Sequence, residues 1–139
     1  MSDFNRRRLT RAESVALLAR PLTGVFSTVH PAGWIHSVPV HFLFAEGEIR
    51  VVAEAGAVKS RNVARRGEAT LCVDVTEGTV RSYVSVSGPV GIRPSLPERD
   101  LAALDEKYGR TDYATDWDSA DAVMLVLRVE RWIAWADWD

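Results

Sequence analysis

Short apolar runs separated by turn residues occupy most of the chain, and two longer stretches instead carry apolar residues at helical spacing. The stretch "LTRAESVALLARP" predicts a first helix, because Thr10 can cap it, Glu13 stands at the capping-box position and Pro21 stops it. The stretch "LPERDLAALDEKYG" predicts a late helix that ends at Gly109.

The remaining apolar runs predict strands joined by short turns. "LTGVFSTVH", "WIHSVPVHFLF" and "EIRVVAE" are separated by the turns "PAGW" and "AEGE", which predicts a three-strand antiparallel meander. "ATLCVDV" and "VRSYVSVSGPVGIR" predict two more strands. Gly88 and Pro89 within the second indicate a bulge or an edge position, because proline cannot donate to a ladder. "AVMLVLRVERWIAWAD" predicts one last strand after the polar loop "TDYATDWDSAD".

These elements amount to six or seven mostly antiparallel strands with two or three flanking helices. Short turns and few crossovers favour a closed or strongly curved sheet, a small barrel, over a doubly wound fold. The 139 residues suit one domain, and the chain shows no internal repeat and no low-complexity linker. We therefore predict a mainly β, α+β protein with a single domain over residues 1–139.

Composition and charge narrow the classes of function. Apolar residues make up 47% of the chain and charged residues 26%, as in ordinary folded proteins. The formal net charge of −2 argues against a general nucleic-acid binder, which normally carries a basic excess. No run has the ~20 apolar residues that span a bilayer, and none follows the N-terminal arginines as in a signal peptide, so a cytoplasmic protein is expected. The single cysteine, Cys72, excludes an internal disulfide.

No self-contained catalytic or metal site is recognisable in the sequence. His36 and His41 stand five residues apart on one predicted strand, so they point to opposite faces and cannot share a metal. The chain has no nucleophile elbow, no His-Glu-x-x-His, no Walker loop and no Gly-x-Gly-x-x-Gly. The carboxylates of the polar loop lack the spacing of a calcium site. If the chain is an enzyme, we expect a cofactor to supply the chemistry.

The strongest candidate for a binding site is the basic stretch that follows "EIRVVAEAGAV". A short helix is predicted to start near Ala57 or Val58, where its first-turn amides would be open to an anion. Lys59 adds a charge, Ser60 a hydroxyl, Arg61 a forked donor and Asn62 an amide. The residues alone leave two interpretations open, a phosphate site and a solvated basic helix with ordinary surface ion pairs.

A family resemblance favours the first interpretation. The stretch from "GVFSTVHPAGWIHSVPVHFLF" through "VKSRNVARRGEATLCVDV" resembles the split β-barrel flavin-binding family related to pyridoxamine 5′-phosphate oxidase, which includes actinobacterial flavin and deazaflavin oxidoreductases. Members carry a His-x-x-Pro-Val strand and a Lys-x-Arg-Asn-Leu-x-Arg helix, and here His36, Pro39, Val40, Lys59 and Arg61 stand at matching positions. The resemblance covers roughly residues 10 to 137 and implies a split barrel of the FMN-binding type.

The resemblance also implies roles for individual residues. In relatives the lysine and its neighbours hold the cofactor phosphate, and the two preceding strands pass along the flavin ring. Carried over to this chain, the implied phosphate ligands are Lys59, Ser60, Arg61 and Asn62. The residues implied along the ring are Val38, Pro39, Val40 and His41, and those near the ribityl chain are Val52, Ala53 and Glu54. Lys107 and Tyr108 of the late helix are expected to be surface and packing residues.

The C-terminal "RWIAWADWD" places three tryptophans within seven residues, which are costly to leave in water. Trp132 and Trp135 are therefore predicted to form either a hydrophobic dimer seam or a wall for a substrate or ring. Both are compatible with the resemblance, because members of the family are usually homodimers with two cofactor sites at the interface.

The function implied by the resemblance is hydride transfer between coenzyme F-420 or FMN and a small conjugated substrate. Coenzyme F-420 is favoured by the Lys-x-Arg-Asn block and by fifteen arginines against two lysines, a ratio typical of GC-rich bacterial genomes. The alternative is a non-catalytic protein that carries flavin or haem. Oxidation of pyridoxamine phosphate itself is less expected, because the chain is short and lacks the additional C-terminal segment of those oxidases.

Overall fold

One strongly curved antiparallel sheet with three helices around it makes up the described part of the chain. The computed structural model describes residues 5–112, 117 and 121–139. The described elements are β1 (Asn5–Arg8), α1 (Arg11–Ala19), β2 (Gly24–Val29), β3 (Ile35–Val40), β4 (Leu43–Ala45), β5 (Glu48–Glu54), α2 (Val58–Arg65), β6 (Glu68–Glu77), β7 (Val80–Arg93), α3 (Glu98–Tyr108), β8 (Ala122–Arg128) and β9 (Arg131–Trp138).

The long strand β7 organises the sheet. The strands follow the order β3-β2-β6-β7-β8-β5-β4, and β9 pairs with β7 and β1 off this path. The first part of β7, up to Ser87, pairs with β9, and its last part, from Val90, pairs with β8. Because β7 bends from one set of partners to another, the sheet encloses a core in the manner of a split barrel. The predicted fold class, mainly antiparallel with flanking helices, is confirmed.

The three helices lie where the sequence predicts them, and their ends follow local signals. In α1 the side chain of Thr10 accepts from the Glu13 N–H, and Glu13 accepts from the Thr10 N–H, which completes the expected capping box. Helix α3 ends at Gly109, which adopts the left-handed conformation that favours glycine. The polar loop between α3 and β8 lies mostly outside the described residues.

The predicted three-strand meander is wrong, because "WIHSVPVHFLF" breaks at His41 and Phe42. Strand β3 pairs only with β2, and β4 pairs only with β5, so the two halves stand at opposite ends of the sheet path. His41 therefore lies beyond the end of β3 and does not share a strand with His36. Two residues join the two edges of the sheet, and this link is the split in the barrel.

The last predicted strand also divides in two, at Val129 and Glu130. The Val129 N–H donates to the Gly47 carbonyl and the Glu130 N–H donates to the Ser87 carbonyl, so both leave the regular ladder. The N-terminal arginines add β1, which pairs with β9 and carries no apolar residue that could have predicted a strand. These features explain why the described chain has nine strands where six or seven are predicted.

Gly88 and Pro89 mark the point where β7 changes partners. Both residues pair with β6 on one side, and on the other side they fall between the β9 and β8 ladders. The sequence places a bulge or an edge here, and the structure shows an interior strand whose proline faces the gap between two ladders. A Cβ added to Gly88 would lie 1.9 Å from the Arg128 carbonyl oxygen.

Two apolar clusters hold the sheet together. The larger one fills the barrel and contains Leu18, Phe26, Phe42, Leu71 and Leu125. The smaller one lies on the other face of β5 and β8 and packs these strands against Leu101 and Leu104 of α3. Helix α3 is thereby fixed on the outside of the barrel, next to the link between β3 and β4.

We expect Gly88→Ala to lower the free energy of unfolding by about 1–3 kcal/mol, because a methyl group at this position must displace backbone. Gly91→Ala is the matched control on the same strand, since a Cβ there meets no atom within 4 Å. Urea unfolding of both variants measures the difference. Equal midpoints would show that the backbone at Arg128 can move to accommodate a methyl group, so that the close contact does not require glycine at position 88.

Candidate functional site

The short helix α2 presents its side chains in three directions. Its N-cap, Ala57, offers no side-chain hydrogen bond to the first turn. Ser60, Asn62 and Val63 are buried beneath the helix. Lys59 and Arg61 point outward into two separate clefts. The predicted helix is therefore present, but the four predicted phosphate ligands do not converge on one point.

Ser60 and Asn62 hold the helix on the sheet. The Ser60 hydroxyl donates to the Glu54 carbonyl at 2.6 Å, which ties the helix to the end of β5. The Asn62 amide donates to the Thr28 hydroxyl at 2.9 Å, which ties it to β2. Because both donors bond within the fold, the outward-facing donors of α2 come from its lysine and arginines. The phosphate-ligand role of Ser60 and Asn62 stays a prediction.

The first cleft receives Lys59 and combines apolar walls with cationic groups. It has a volume of about 250 Å³. Its lining residues are Pro39, Val40, His41, Val52, Lys59, Leu104, Arg110 and Trp117. Pro39, Val40 and Val52 give flat apolar surface, and Lys59 supplies a donor at one side. We call this the Lys59 cleft.

Lys59 is a half-buried cation. Burial lowers the pKa of its ammonium group, and the nearby charge of Glu54 opposes that shift only in part. In the described part of the chain Lys59 forms no ion pair at bonding distance. An anion bound in the cleft would favour the charged ammonium and raise its pKa again.

His41 forms the edge of the Lys59 cleft and is held by a ring stack. Its imidazole lies 3.9 Å from the Tyr108 ring, centroid to centroid, with 6° between the planes. Burial lowers the pKa of His41, and the positive charges of Arg110 and Lys107 lower it further. The imidazole is therefore neutral at pH 7, which suits a flat apolar surface beside a ring.

Lys107 and Tyr108 of α3 bond to the backbone at the split in the barrel. The Lys107 ammonium donates to the carbonyls of Phe42 and Leu18, each at 2.8 Å, and lies 3.6 Å from the centre of the Phe42 ring. The Tyr108 hydroxyl accepts from the Phe42 N–H at 3.1 Å and donates to the Leu22 carbonyl at 2.9 Å. Tyr108 is a packing residue as expected. The expectation of a surface position for Lys107 is wrong.

The other predicted cofactor residues divide between the cleft and the core. Val38 is half-buried and packs on the barrel core, and Ala53 is fully buried within that core. Glu54 is exposed at the end of β5, beside Lys59. The alternation of side chains along a strand explains this outcome, because neighbouring residues of β5 cannot all face the same cleft.

Trp132 and Trp135 lie away from the Lys59 cleft and on opposite faces of β9. Trp132 packs inward with its ring 5.6 Å from that of Phe44, and the Arg11 guanidinium covers it at 4.1 Å. Trp135 lies on the outer face beneath Arg6 at 3.9 Å. Neither forms a wall of the cleft within one chain, and their role in a dimer seam stays a prediction.

Sequence reasoning missed three residues that line the cleft, Leu104, Arg110 and Trp117. Leu104 has the pattern of an ordinary helix core residue, Arg110 stands between the predicted helix stop at Gly109 and the polar loop, and Trp117 lies within that loop. Their placement depends on the docking of α3 against β5 and β8, for which the local sequence contains no signal. Within the described ranges, no three His, Cys, Asp or Glu side chains are grouped closely enough to hold a metal ion. Among the helices of the same ranges, none has the length and apolarity to cross a membrane.

Comparisons with known proteins agree with this architecture. The family model described as pyridoxamine 5′-phosphate oxidase matches residues 10–136. None of the curated proteins matches the sequence significantly.

Solved structures give three informative similarities. An F-420 reductase superposes with a TM-score of 0.72 at 26% identity, over 84% of this chain and 93% of that one. A FAD-binding protein from Mesorhizobium loti superposes with a TM-score of 0.77 at 14% identity, over 96% of this chain and 99% of that one. A heme binding protein from Mycobacterium smegmatis superposes with a TM-score of 0.71 at 19% identity, over 92% of this chain and 55% of that one. The last two similarities concern the fold alone.

Half-buried Lys107 is expected to make a pH-dependent contribution to stability. Burial lowers the pKa of Lys107 to about 8, from 10.5 for an ordinary lysine. Between these two values the unfolded chain binds more protons than the folded one, so the free energy of unfolding rises with pH. We expect the stability difference between wild type and Lys107→Met to change in favour of wild type from pH 7.5 to pH 10.

Urea unfolding of both proteins at each pH measures this difference, and the titrating groups that do not interact with Lys107 cancel in the comparison. Parallel pH profiles would contradict the prediction, since they would mean that Lys107 has the same pKa in both states.

Proposed function

We propose that this chain, which belongs to the pyridoxamine 5′-phosphate oxidase family, binds a phosphate-bearing flavin or deazaflavin and transfers hydride between it and a small conjugated substrate. The observation that carries the proposal is the Lys59 cleft, in which a half-buried cation with no ion-pair partner among the described residues adjoins apolar walls. A flat ring with a phosphate tail has the chemistry that this set of groups would accept.

The residues of the chain have distinct tasks in this proposal. Lys59 binds the phosphate, while Pro39, Val40 and Val52 exclude water from the ring. His41, fixed by its stack on Tyr108, borders the ring as a neutral imidazole. The hydride-transfer chemistry is supplied by the cofactor, and the protein contributes binding and orientation. This division of labour agrees with the absence of any recognisable acid–base pair in the sequence.

Between the two cofactors we favour coenzyme F-420. It is supported by the similarity to an F-420 reductase at 26% identity, the highest figure among the three structures compared above. The lysine-poor, arginine-rich composition, typical of GC-rich bacterial genomes, points the same way. FMN is the second candidate, because a phosphate on a ribityl chain would satisfy Lys59 equally well.

We further propose that the protein is a homodimer that joins through the outer face of the sheet. Directly paired residues on β2, β6, β7 and β9 form one row across this face, with Val25, Cys72, Ser85 and Ile133 side by side. Ile35, Ile133 and Val25 are 68%, 55% and 43% exposed. Large apolar side chains that are exposed on one face of a sheet favour contact with a second copy over contact with water.

The alternative function is a carrier that binds flavin or haem without turnover. It is supported by the similarity of fold to a heme binding protein and by the missing acid–base pair. A carrier would bind its ligand tightly but would not speed the reduction or oxidation of any small conjugated acceptor. Turnover assays with the bound cofactor separate the two functions.

Calorimetric titration with FMN and, separately, with F-420 tests the proposed site. We expect Lys59→Ala to weaken binding by about 1.5–3 kcal/mol, the scale of a hydrogen bond between charged groups, and to leave the fold intact. Arg66→Ala is the matched control, because Arg66 is an exposed cation at the end of the same helix and does not line the cleft. Equal affinities in wild type and Lys59→Ala would place the phosphate elsewhere.

The oligomeric state tests the proposed dimer. We expect Ile133→Glu to convert the dimer to a monomer, because it places a charge at the β9 end of that row, on a side chain that is 55% exposed. Val80→Glu is the control, since Val80 is 40% exposed but lies at the groove beside α1 and not in that row. Light scattering after size-exclusion chromatography gives the mass. A monomeric wild type, or a dimer unaffected by Ile133→Glu, would refute this interface.

A further inference from the structure

We propose that the second cleft beside α2 is a separate site for a nucleoside monophosphate group, whose base stacks on Trp34 and whose phosphate lies between Arg61 and Arg65. The cleft has a volume of about 300 Å³. Its lining residues are His30, Pro31, Trp34, Val58, Arg61, Asn62 and Arg65. This inference goes beyond the proposed function, which concerns the Lys59 cleft alone.

A rigid aromatic platform forms one wall of the second cleft. The rings of His30 and Trp34 are stacked, 4.2 Å apart and 14° from parallel. The His30 ring is itself fixed, because its Nδ1 accepts from the Ala32 N–H at 3.0 Å. The turn is closed by the His30 N–H, which donates to the Trp34 carbonyl, and Gly33 supplies the left-handed residue it needs.

This platform is held in place before any ligand arrives. Trp34 is 49% exposed, although an indole of this size is normally covered. Stacking on a ring that is already fixed costs little side-chain entropy, so little of the stacking free energy of a planar base would be lost on binding. In this proposal the exposed face of the Trp34 ring is the surface on which the base stacks.

Arg61 and Arg65 supply the opposite wall and are one helical turn apart. Within the described ranges neither forms an ion pair with a carboxylate. Most arginines outside α2 differ in this respect, since they either face a carboxylate or cover a tryptophan. Those paired with a carboxylate are Arg7, Arg20, Arg50, Arg81, Arg93 and Arg110, and those over a tryptophan are Arg6, Arg8 and Arg11.

Two such guanidinium groups facing one cleft match a phosphate, which accepts forked hydrogen bonds from each. A phosphate has three terminal oxygens and up to two negative charges, so it can pair with both guanidinium groups at once. The combination with an aromatic platform selects a ligand that is planar at one end and doubly charged at the other. A nucleoside monophosphate has this chemistry.

The second cleft is distinct from the Lys59 cleft. Trp34 precedes β3 and His41 follows it, so roughly 20 Å of extended chain separates the two ends. Beside the platform lies His36, whose ring meets the edge of Trp34 at 6.3 Å. Its Nδ1 is buried and has no hydrogen-bond partner among the residues that the structure describes, which leaves an unused polar group near the cleft.

The nucleoside monophosphate group can come from two sources. One is a free nucleotide, and the other is the adenylate end of a flavin dinucleotide whose ring lies in the Lys59 cleft. Adenosine monophosphate is the probe common to both. Comparison of FMN with FAD separates them, because only the dinucleotide carries ring and adenylate in one molecule.

The first experiment is calorimetric titration of the full chain with adenosine monophosphate. We expect a dissociation constant of about 1 mM or tighter. Trp34→Ala should weaken it about tenfold, the scale of one base–aromatic stack, whereas Trp34→Phe should retain most of the affinity. Arg61→Gln combined with Arg65→Gln should abolish binding, and Arg66→Gln, a neighbouring exposed arginine outside the cleft, should leave it unchanged.

Absence of binding at about 10 mM nucleotide would overturn the proposal. Binding of equal strength in the double variant and the Arg66→Gln control would overturn it as well, because the arginines of the cleft would then play no specific part. Circular dichroism of each variant verifies the fold, and all substituted side chains are at least partly exposed.

The second experiment identifies the source. If FAD binds about tenfold tighter than FMN and the double variant removes that advantage, the adenylate belongs to the cofactor. If FAD and FMN bind equally while the mononucleotide still binds, the cleft takes a free nucleotide. Lys59→Ala should affect flavin and not adenosine monophosphate, so failure of the proposed function and failure of this inference give different results.

Discussion

The rest of the structure depends on how the two edges of the sheet are held together at Phe42. Strands β3 and β4 end the sheet path and do not pair with each other, so the backbone groups between them have no ladder partner. Phe42 is fully buried there, and an unpaired buried N–H or C=O would cost as much as a lost hydrogen bond. The Tyr108 hydroxyl and the Lys107 ammonium bond to these two groups in place of a strand. A helix outside the barrel thus completes the hydrogen bonding of the barrel.

This arrangement also builds the candidate site. Helix α3 is fixed at its other end by Asp100, which pairs with the buried Arg50 of β5 at 3.1 Å. With both ends held, α3 places Leu104 in the wall of the Lys59 cleft and Tyr108 against His41. The cleft therefore exists because the barrel is split, and the side chains that close the split also shape the cleft. Tyr108 therefore has both roles, because it stabilises the fold at Phe42 and shapes the site at His41.

How far the sequence predicts this molecule depends on the range of the interactions involved. The capping box of Thr10 and Glu13 and the stop at Gly109 are local, and the helices they bound are found as predicted. The break at His41 and Phe42 is not local. Val40 and Phe42 are both buried, so the alternation of buried positions continues through the break. The strand ends where its partner β2 begins, at Gly24 opposite Val40, and Phe42 then bonds to α3.

In the candidate site, too, the features set by local sequence are predictable and those set by long-range packing are not. The block around Lys59 is recognisable from its residue types, and the helix that carries it is where the sequence predicts it. Which of its donors face outward is decided by packing, since Ser60 and Asn62 bond to β5 and β2 and leave Lys59 and Arg61 to separate clefts. Arg110 and Trp117 enter the Lys59 cleft only through the docking of α3, so no pattern along the chain could have placed them there.

The charge of helix α2 is arranged in a way that lowers the stability of the fold. Its eight residues include three cations and no acid, in a chain whose formal net charge is −2. No side chain caps its first turn, and Lys59 is half-buried, which lowers the pKa of its ammonium group. Each of these features would be improved for stability by a single carboxylate near the start of the helix. A bound anion would supply the same negative charge and offset the same loss of stability. Natural sequences depart from the usual capping and charge preferences of helices mainly where function requires it. Helix α2 departs from these preferences on the two sides that face the clefts.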